Sequence, residues 1–263
     1  MSWSSAGEKY KNNAKQQVAS VTGCSMEVAE RVLQHTQGDI TSAINEYYDH
    51  PERYPEPRPK TPPKPKVNEG EILNLFKRYS NSDQTNIEPD GLERLLDESK
   101  VDPENIGVLI FAWKAKAEHP AEFSKDEFVL ACKETGIDTL NAFGQKVPTL
   151  ISFIQTPAAF RDFYRWSFKY YLTEERARKL SNETACILFG IVMKGRTPFY
   201  DQIIQFLTEK KDEVKTVSID AWNMLLDFGE QIQPDLSNYD IPGKTDHWPV
   251  MIDDFVDWIK SKQ

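Results

Sequence analysis

Apolar residues recur at three- and four-residue spacing along most of this chain, the period of helices that turn one face inward. Val28, Ala29, Val32 and Leu33 form one stripe, and Ile40, Ala43, Ile44 and Tyr47 form the next. At the far end Ile252, Phe255, Val256 and Ile259 fall at i, i+3, i+4 and i+7, which predicts a last helix with one buried side. Start signals stand where the stripes begin. Ser25 and Asp39 are placed to cap the first two, and Gly38 ends the earlier one. DPENIGVLIFAWKAKAE (102–118) opens on Asp102 with Pro103 in its first turn, and Ser124 and Glu127 have the spacing of a capping box. TPAAFRDFYRWSFKYY (156–171) and TPFYDQIIQFL (197–207) both open on Thr-Pro, and SIDAWNMLLDFGEQI (218–232) opens on Ser218. No long alternating pattern is present; short paired segments are expected near Ile87 and Phe123. The predicted class is all-α, with many helices in pairs.

One segment interrupts the periodicity. Seven of the sixteen residues in PERYPEPRPKTPPKPK (51–66) are proline. Proline lacks an amide donor and holds the backbone extended, so residues 51–67 read as a semi-rigid spacer, with an SH3-type ligand as the alternative. The spacer divides a small domain, residues 1–50, from a larger one, residues 68–263.

Composition supports packed domains: 39% of residues are hydrophobic, including six Trp and fourteen Phe. No apolar run approaches the roughly 20 residues of a membrane helix. MSWSSAGEKYKNN, at the start, carries no hydrophobic core of a secretory signal, and Ser2 follows Met1 where N-terminal acylation needs a glycine. Cys24, Cys132 and Cys186 are far apart and suit a reducing, intracellular compartment. The net charge of −9 is uneven: from Tyr200 onward 13 Asp/Glu stand against 6 Lys/Arg. Such a surface disfavours nucleic acid and favours basic protein partners.

The residues carry few signs of covalent chemistry. His35, His50, His119 and His247 stand in no local signature with a Cys or Ser, and Cys132 and Cys186 lie within apolar stripes. There is no P-loop, GxGxxG or HExxH. NSDQTNIEPDGLE (81–93) sits between two helices as a calcium loop would. With Ile87 at the eighth position, however, Ser80 is first, Thr85 replaces the sixth-position glycine and Gly91 replaces the twelfth-position glutamate. AEHPAEFSKDEF (117–128) is also short of ligands. We expect EF-hand-like helix pairs lacking calcium ligands, no metal and no cofactor. In the last helix Asp253 and Asp257 lie one turn apart beside Asp254, outside the apolar stripe; carboxylates solvated in this way suit attraction better than proton transfer. Asp220 favours its helix start through the dipole.

TGCSMEVAERVLQHTQGDITSAINEYY resembles a ubiquitin-associated (UBA) domain over roughly residues 8–49, with the family's Met-Gly-Phe/Tyr turn replaced by Thr22, Gly23 and Cys24. That turn often supplies the apolar contact to ubiquitin, so the replacement bears on ubiquitin binding rather than on the three-helix fold.

Beyond the spacer, VLIFAWK (108–114), EFSKDEF (122–128), FRDFYRWSF (160–168), the W-N-M-L-L-D-F stretch (222–228), LSNYD (236–240) and WPVMIDDFVDW (248–258) closely resemble the defective-in-cullin-neddylation family. The resemblance implies a scaffold-type ligase without a catalytic nucleophile of its own. Its expected partners are a cullin, the neddylation conjugating enzyme and the RING–cullin ligase complex, and it would act in cytoplasm and nucleus, without membrane or nucleic acid. It implies a cullin-binding acidic patch at Asp220, His247 and Asp253, with His247 standing where the family usually has alanine after a shorter loop than IPGKTD. It also implies an apolar pocket for the acetylated N-terminal methionine of the conjugating enzyme, walled by Leu92, Val108, Phe111, Phe123, Tyr170, Leu188 and Ile191. From the residues alone, most of these belong to ordinary core stripes. The alternative function is an adaptor that binds ubiquitin through residues 8–49 and uses the larger domain as an interaction platform.

Overall fold

A computed structural model of the chain describes residues 3–54, 65–172, 177–239 and 248–262. Contacts divide it into two units, Met1–Pro63 and Lys64–Gln263. No helix among the described residues is long and apolar enough to cross a membrane.

The first unit packs α1 (Trp3–Thr22), α2 (Met26–His35) and α3 (Ile40–Asp49) around Val18, Val28, Ala29, Val32 and Ala43, all fully buried. The caps act locally. The Val28 amide donates to Ser25 Oγ at 3.3 Å, and the Ser42 amide donates to Asp39 Oδ1 at 2.7 Å. Hydrogen bonds from Ser42 hold the Asp39 carboxyl below its usual pKa. Gly38 makes the intervening turn at φ +88°, a conformation that suits glycine. Pro51–Arg53 add one 3-10 turn, and Tyr54 packs into the same core, so the packed part reaches past residue 50. The central spacer residues, 55–64, lie outside the described part.

The second unit contains two sets of helix–strand–helix pairs, each set joined by a small antiparallel ladder. In the first, α4 (Glu69–Tyr79) leads through β1 (Asn86–Ile87) to α5 (Pro89–Ser99), and α6 (Ile106–Ala115) through β2 (Phe123–Ser124) to α7 (Lys125–Thr135). Ile87 pairs with Phe123, as the spacing predicts. The Asn81 side chain organises the loop before β1: its Oδ1 accepts from the Thr85 amide at 3.0 Å and its Nδ2 donates to Glu88 at 3.0 Å. α8 (Leu140–Lys146) and a 3-10 stretch, Val147–Ile154, lead to the second half. There α9 (Pro157–Tyr170) precedes β3 (Lys179–Ser181) and α10 (Asn182–Val192), and α11 (Tyr200–Glu209) precedes β4 (Thr216–Ser218) and α12 (Ile219–Gln231). This second ladder, with Leu180 opposite Val217, has no counterpart in the sequence reading. α13 (Val250–Lys262) closes the unit against α11 and α12.

Two predicted helix starts move. Asp102 ends up in a turn before α6, where its Oδ1 accepts from the Glu104 amide at 2.9 Å; Asn105 is the cap, accepting from Gly107 at 2.8 Å. Of the two Thr-Pro signals, Thr156 caps α9, but Thr197 accepts from the Phe199 amide in a turn and the helix begins at Tyr200. The capping box at Ser124 and Glu127 is complete, with Glu127 Oε2 accepting from the Ser124 amide at 2.7 Å. Ser124→Ala should therefore cost the larger unit about 1 kcal/mol in denaturant unfolding, and a loss below the resolution of that measurement would show that the loop anchors α7 without it.

Candidate functional site

The close approach of α5 and α6 to their neighbours depends on two glycines. A Cβ on Gly91 would strike the Tyr79 carbonyl, and one on Gly107 would strike the Val147 carbonyl. These two helices, with the segment before β2, the end of α9 and the end of α10, line an open cavity of about 360 Å³. Leu92, Val108, Phe123, Tyr170 and Ile191 all line it. Phe111 and Leu188 do not: both are 1% exposed, and Phe111 is packed edge-on against Phe123, Phe128 and Phe143. They support the wall rather than form it.

The wall also includes Leu96, Ala112 and Tyr171, each one helical turn or one residue from an expected position. Its polar groups are largely occupied. Asn105 Oδ1 is engaged as the α6 cap, and the Tyr170 hydroxyl accepts from the Ala121 amide at 3.2 Å. The hydroxyls of Tyr170 and Tyr171 are neutral near pH 7, and burial pushes their ionisation further up. Glu93, on the exposed rim, is the charged residue among those lining the cavity. The cavity thus suits an uncharged apolar side chain.

The acidic residues lie on other elements. Asp220 is exposed in the first turn of α12, and Asp253 is exposed in the first turn of α13. α13 is anchored by Ile252, Phe255, Val256 and Ile259, all buried, and by Trp258 Nε1, which donates to Glu209 at 3.1 Å. Docking through that stripe leaves Asp253, Asp254 and Asp257 in solvent. Phe228 of α12 meets Phe255 of α13 at 5.8 Å, so the two helices are directly packed. Asp253 receives a hydrogen bond from the Tyr239 hydroxyl. His247 lies outside the described residues.

Two of the cysteines, Cys24 and Cys132, are buried; Cys132 has its thiol pushed well up by burial, and Cys186 is partly exposed, 3.9 Å from Thr208 Oγ1. His35 and His50 face Glu46 and Glu52, at 3.8 and 3.6 Å. In the first unit Cys24 is turned inward, while Val21, Met26 and Tyr48 are exposed and the Tyr48 hydroxyl donates to the Val21 carbonyl at 2.8 Å.

A mostly apolar cavity and exposed carboxylates thus stand on separate helices of the larger unit, an arrangement suited to binding. Comparison with known proteins agrees and is more specific. A cullin-binding family model matches residues 142–258, and a UBA-like domain model matches residues 14–53. DCN1-like protein 3 of Homo sapiens and that of Xenopus laevis are each 36% identical over 189 residues, 71% of this chain and 61% of each relative. DCN1-like protein 4 of Homo sapiens is 32% identical over 191 residues, 73% of this chain and 63% of that protein. The chain is thus similar to the defective-in-cullin-neddylation, or DCN1-like, proteins over 71–73% of its length. The match spans less than two thirds of the length of these curated relatives.

Proposed function

We propose that this chain is a non-covalent co-ligase in neddylation. Its acidic face holds the basic winged-helix end of a cullin, and its cavity holds the acetylated N-terminal methionine of the conjugating enzyme. The observation that carries the reading is the placement of the two surfaces on different helices of one packed unit, the cavity on α5, α6, α9 and α10 and the carboxylates on α12 and α13. One molecule then engages both partners at once. The conjugating enzyme carries the modifier as a thioester on its own cysteine, and a cullin lysine attacks it. This chain forms no bond; it raises the rate by restricting the two reactants to productive orientations. The acidic face adds steering and register.

The test is a binding series with a cullin C-terminal fragment and an acetylated conjugating-enzyme peptide. Each exposed ion pair contributes about 0–1 kcal/mol, so Asp220→Ala with Asp253→Ala should weaken the cullin fragment up to about thirtyfold at low salt. The thermal transition and the peptide affinity should stay unchanged. Unaltered cullin binding in the double variant would remove the acidic-face assignment.

The exposed Val21, Met26 and Tyr48 favour an added role for the first unit, ubiquitin binding, with the larger unit as platform. Titration of residues 1–54 with ubiquitin separates this adaptor role from the co-ligase.

A further inference from the structure

The LSNYD block (236–240) contributes no residue to the cavity and no exposed carboxylate among its described residues, yet its geometry is tightly specified. The chain leaves α12 at Gln231 and turns at once. Asn238 ties the turn back to the helix end: its Oδ1 accepts from the Gln233 amide at 2.8 Å, and its Nδ2 donates to the Gln231 carbonyl at 2.8 Å. The Ser237 hydroxyl donates to the Gln233 side chain at 2.9 Å, and the Ser237 amide donates to the Asp235 carboxylate at 3.0 Å. Leu236 adopts φ +59°, uncommon for a residue with a side chain, and is 8% exposed.

The result of this turn is the position of one ring. Tyr239 is 6% exposed, packed edge-on to Phe228 of α12 at 6.1 Å, with Lys260 of α13 over its face at 5.7 Å. Its hydroxyl donates to Oδ1 of the exposed Asp253.

We infer that Tyr239 is a positioning residue for partner binding: its buried ring, fixed by the Asn238 turn, orients the Asp253 carboxylate so that Oδ2 is presented to a cation of the basic partner. This rests on the acidic-face reading above. An exposed aspartate otherwise samples several rotamers, and ordering it on binding reduces the affinity of the pair. A carboxylate already held by a donor on a rigid ring loses less on binding. Asp254, the next residue in sequence, is equally exposed, so Tyr239 also decides which of two neighbouring carboxylates is fixed.

The experiment is a double-mutant cycle on the full chain, read as affinity for a cullin C-terminal winged-helix fragment at low salt. Tyr239→Phe keeps the ring and removes the hydroxyl. It is expected to weaken binding about fivefold, with the thermal transition essentially unmoved, and to have no effect in an Asp253→Ala background, as coupled residues behave. Asp254→Ala should stay additive with Tyr239→Phe. An equal loss from Tyr239→Phe with and without Asp253 would show that the hydroxyl acts on the fold in general and would overturn the inference. So would unchanged binding in Tyr239→Phe while Asp253→Ala weakens it. If Asp253→Ala itself has no effect, the acidic-face reading fails first, and the positioning role fails with it.

Discussion

A peptide beginning with N-acetylmethionine should bind this chain about a hundredfold more tightly than the same peptide with a free amine. The sign follows from the cavity wall. Burial of the methionine side chain contributes about 1.5–3 kcal/mol in either peptide. The free peptide must also bring an ammonium out of water, at a cost of several kcal/mol unless it is paired. Among the lining residues the candidate partner is Glu93, and it sits exposed on the rim. A solvated pair of that kind returns about 0–1 kcal/mol, less than the desolvation. Tyr170 and Tyr171, neutral near pH 7 with burial pushing their ionisation further up, provide no compensating charge. Acetylation removes the ammonium and leaves an amide that a hydroxyl can satisfy. Calorimetric titration of both peptides decides the matter, and equal affinities would mean that the methionine end does not enter this cavity.

The helices were legible because their signals are local. Ser25, Asp39, Ser124, Thr156 and Ser218 each cap through a side chain and an amide three residues away, a contact that spacing alone specifies. The two misplaced starts were decided by tertiary contacts instead. Asp102 and Asn105 are both good caps, and the tight seat of Gly107 against Val147 fixes α6 to begin after the second. Thr197 lies against Gly229 of α12, and Phe199 meets Phe228 at 4.8 Å, so the chain there is held as a turn. Neither ladder shows alternation, since its strands are two or three residues long; the first is legible through the calcium-loop spacing around Ile87, a spacing not identified around Lys179–Ser181 or Thr216–Ser218.

The candidate site was legible to the same extent. Helical period identifies which face of α6 or α10 turns inward. It does not say whether that face meets other side chains, as Phe111 and Leu188 do, or borders a void, as Val108 and Ile191 do. Leu96 and Ala112 could have been found as the next turn after Leu92 and Val108. The link from Tyr239 to Asp253 spans a loop and has no periodic signature at all.

Trp222→Ala should cost the larger unit about 3–5 kcal/mol, the most damaging single truncation expected in the chain. Trp222 is 1% exposed and stacks on Tyr164 of α9 with centroids 4.7 Å apart, while Phe168 and Phe189 approach at 5.5 and 6.1 Å. The pair also exchanges two hydrogen bonds: Trp222 Nε1 donates to the Tyr164 carbonyl at 3.1 Å, and the Tyr164 hydroxyl donates to the Trp222 carbonyl at 2.8 Å. One residue thus joins α9, α10 and α12. Trp222→Phe keeps an aromatic ring and removes the donor, so it should cost less. Chemical denaturation of both variants, followed separately in the two units, gives the comparison. The first unit should unfold unchanged, since its core is its own. Asp220 stands two residues before Trp222 on the same helix, so a loss of cullin affinity in Trp222→Ala that exceeds its folded fraction would locate the damage in α12. A loss of stability below about 1 kcal/mol would show that the core closes around the gap and that α12 is held mainly by its contact with α13.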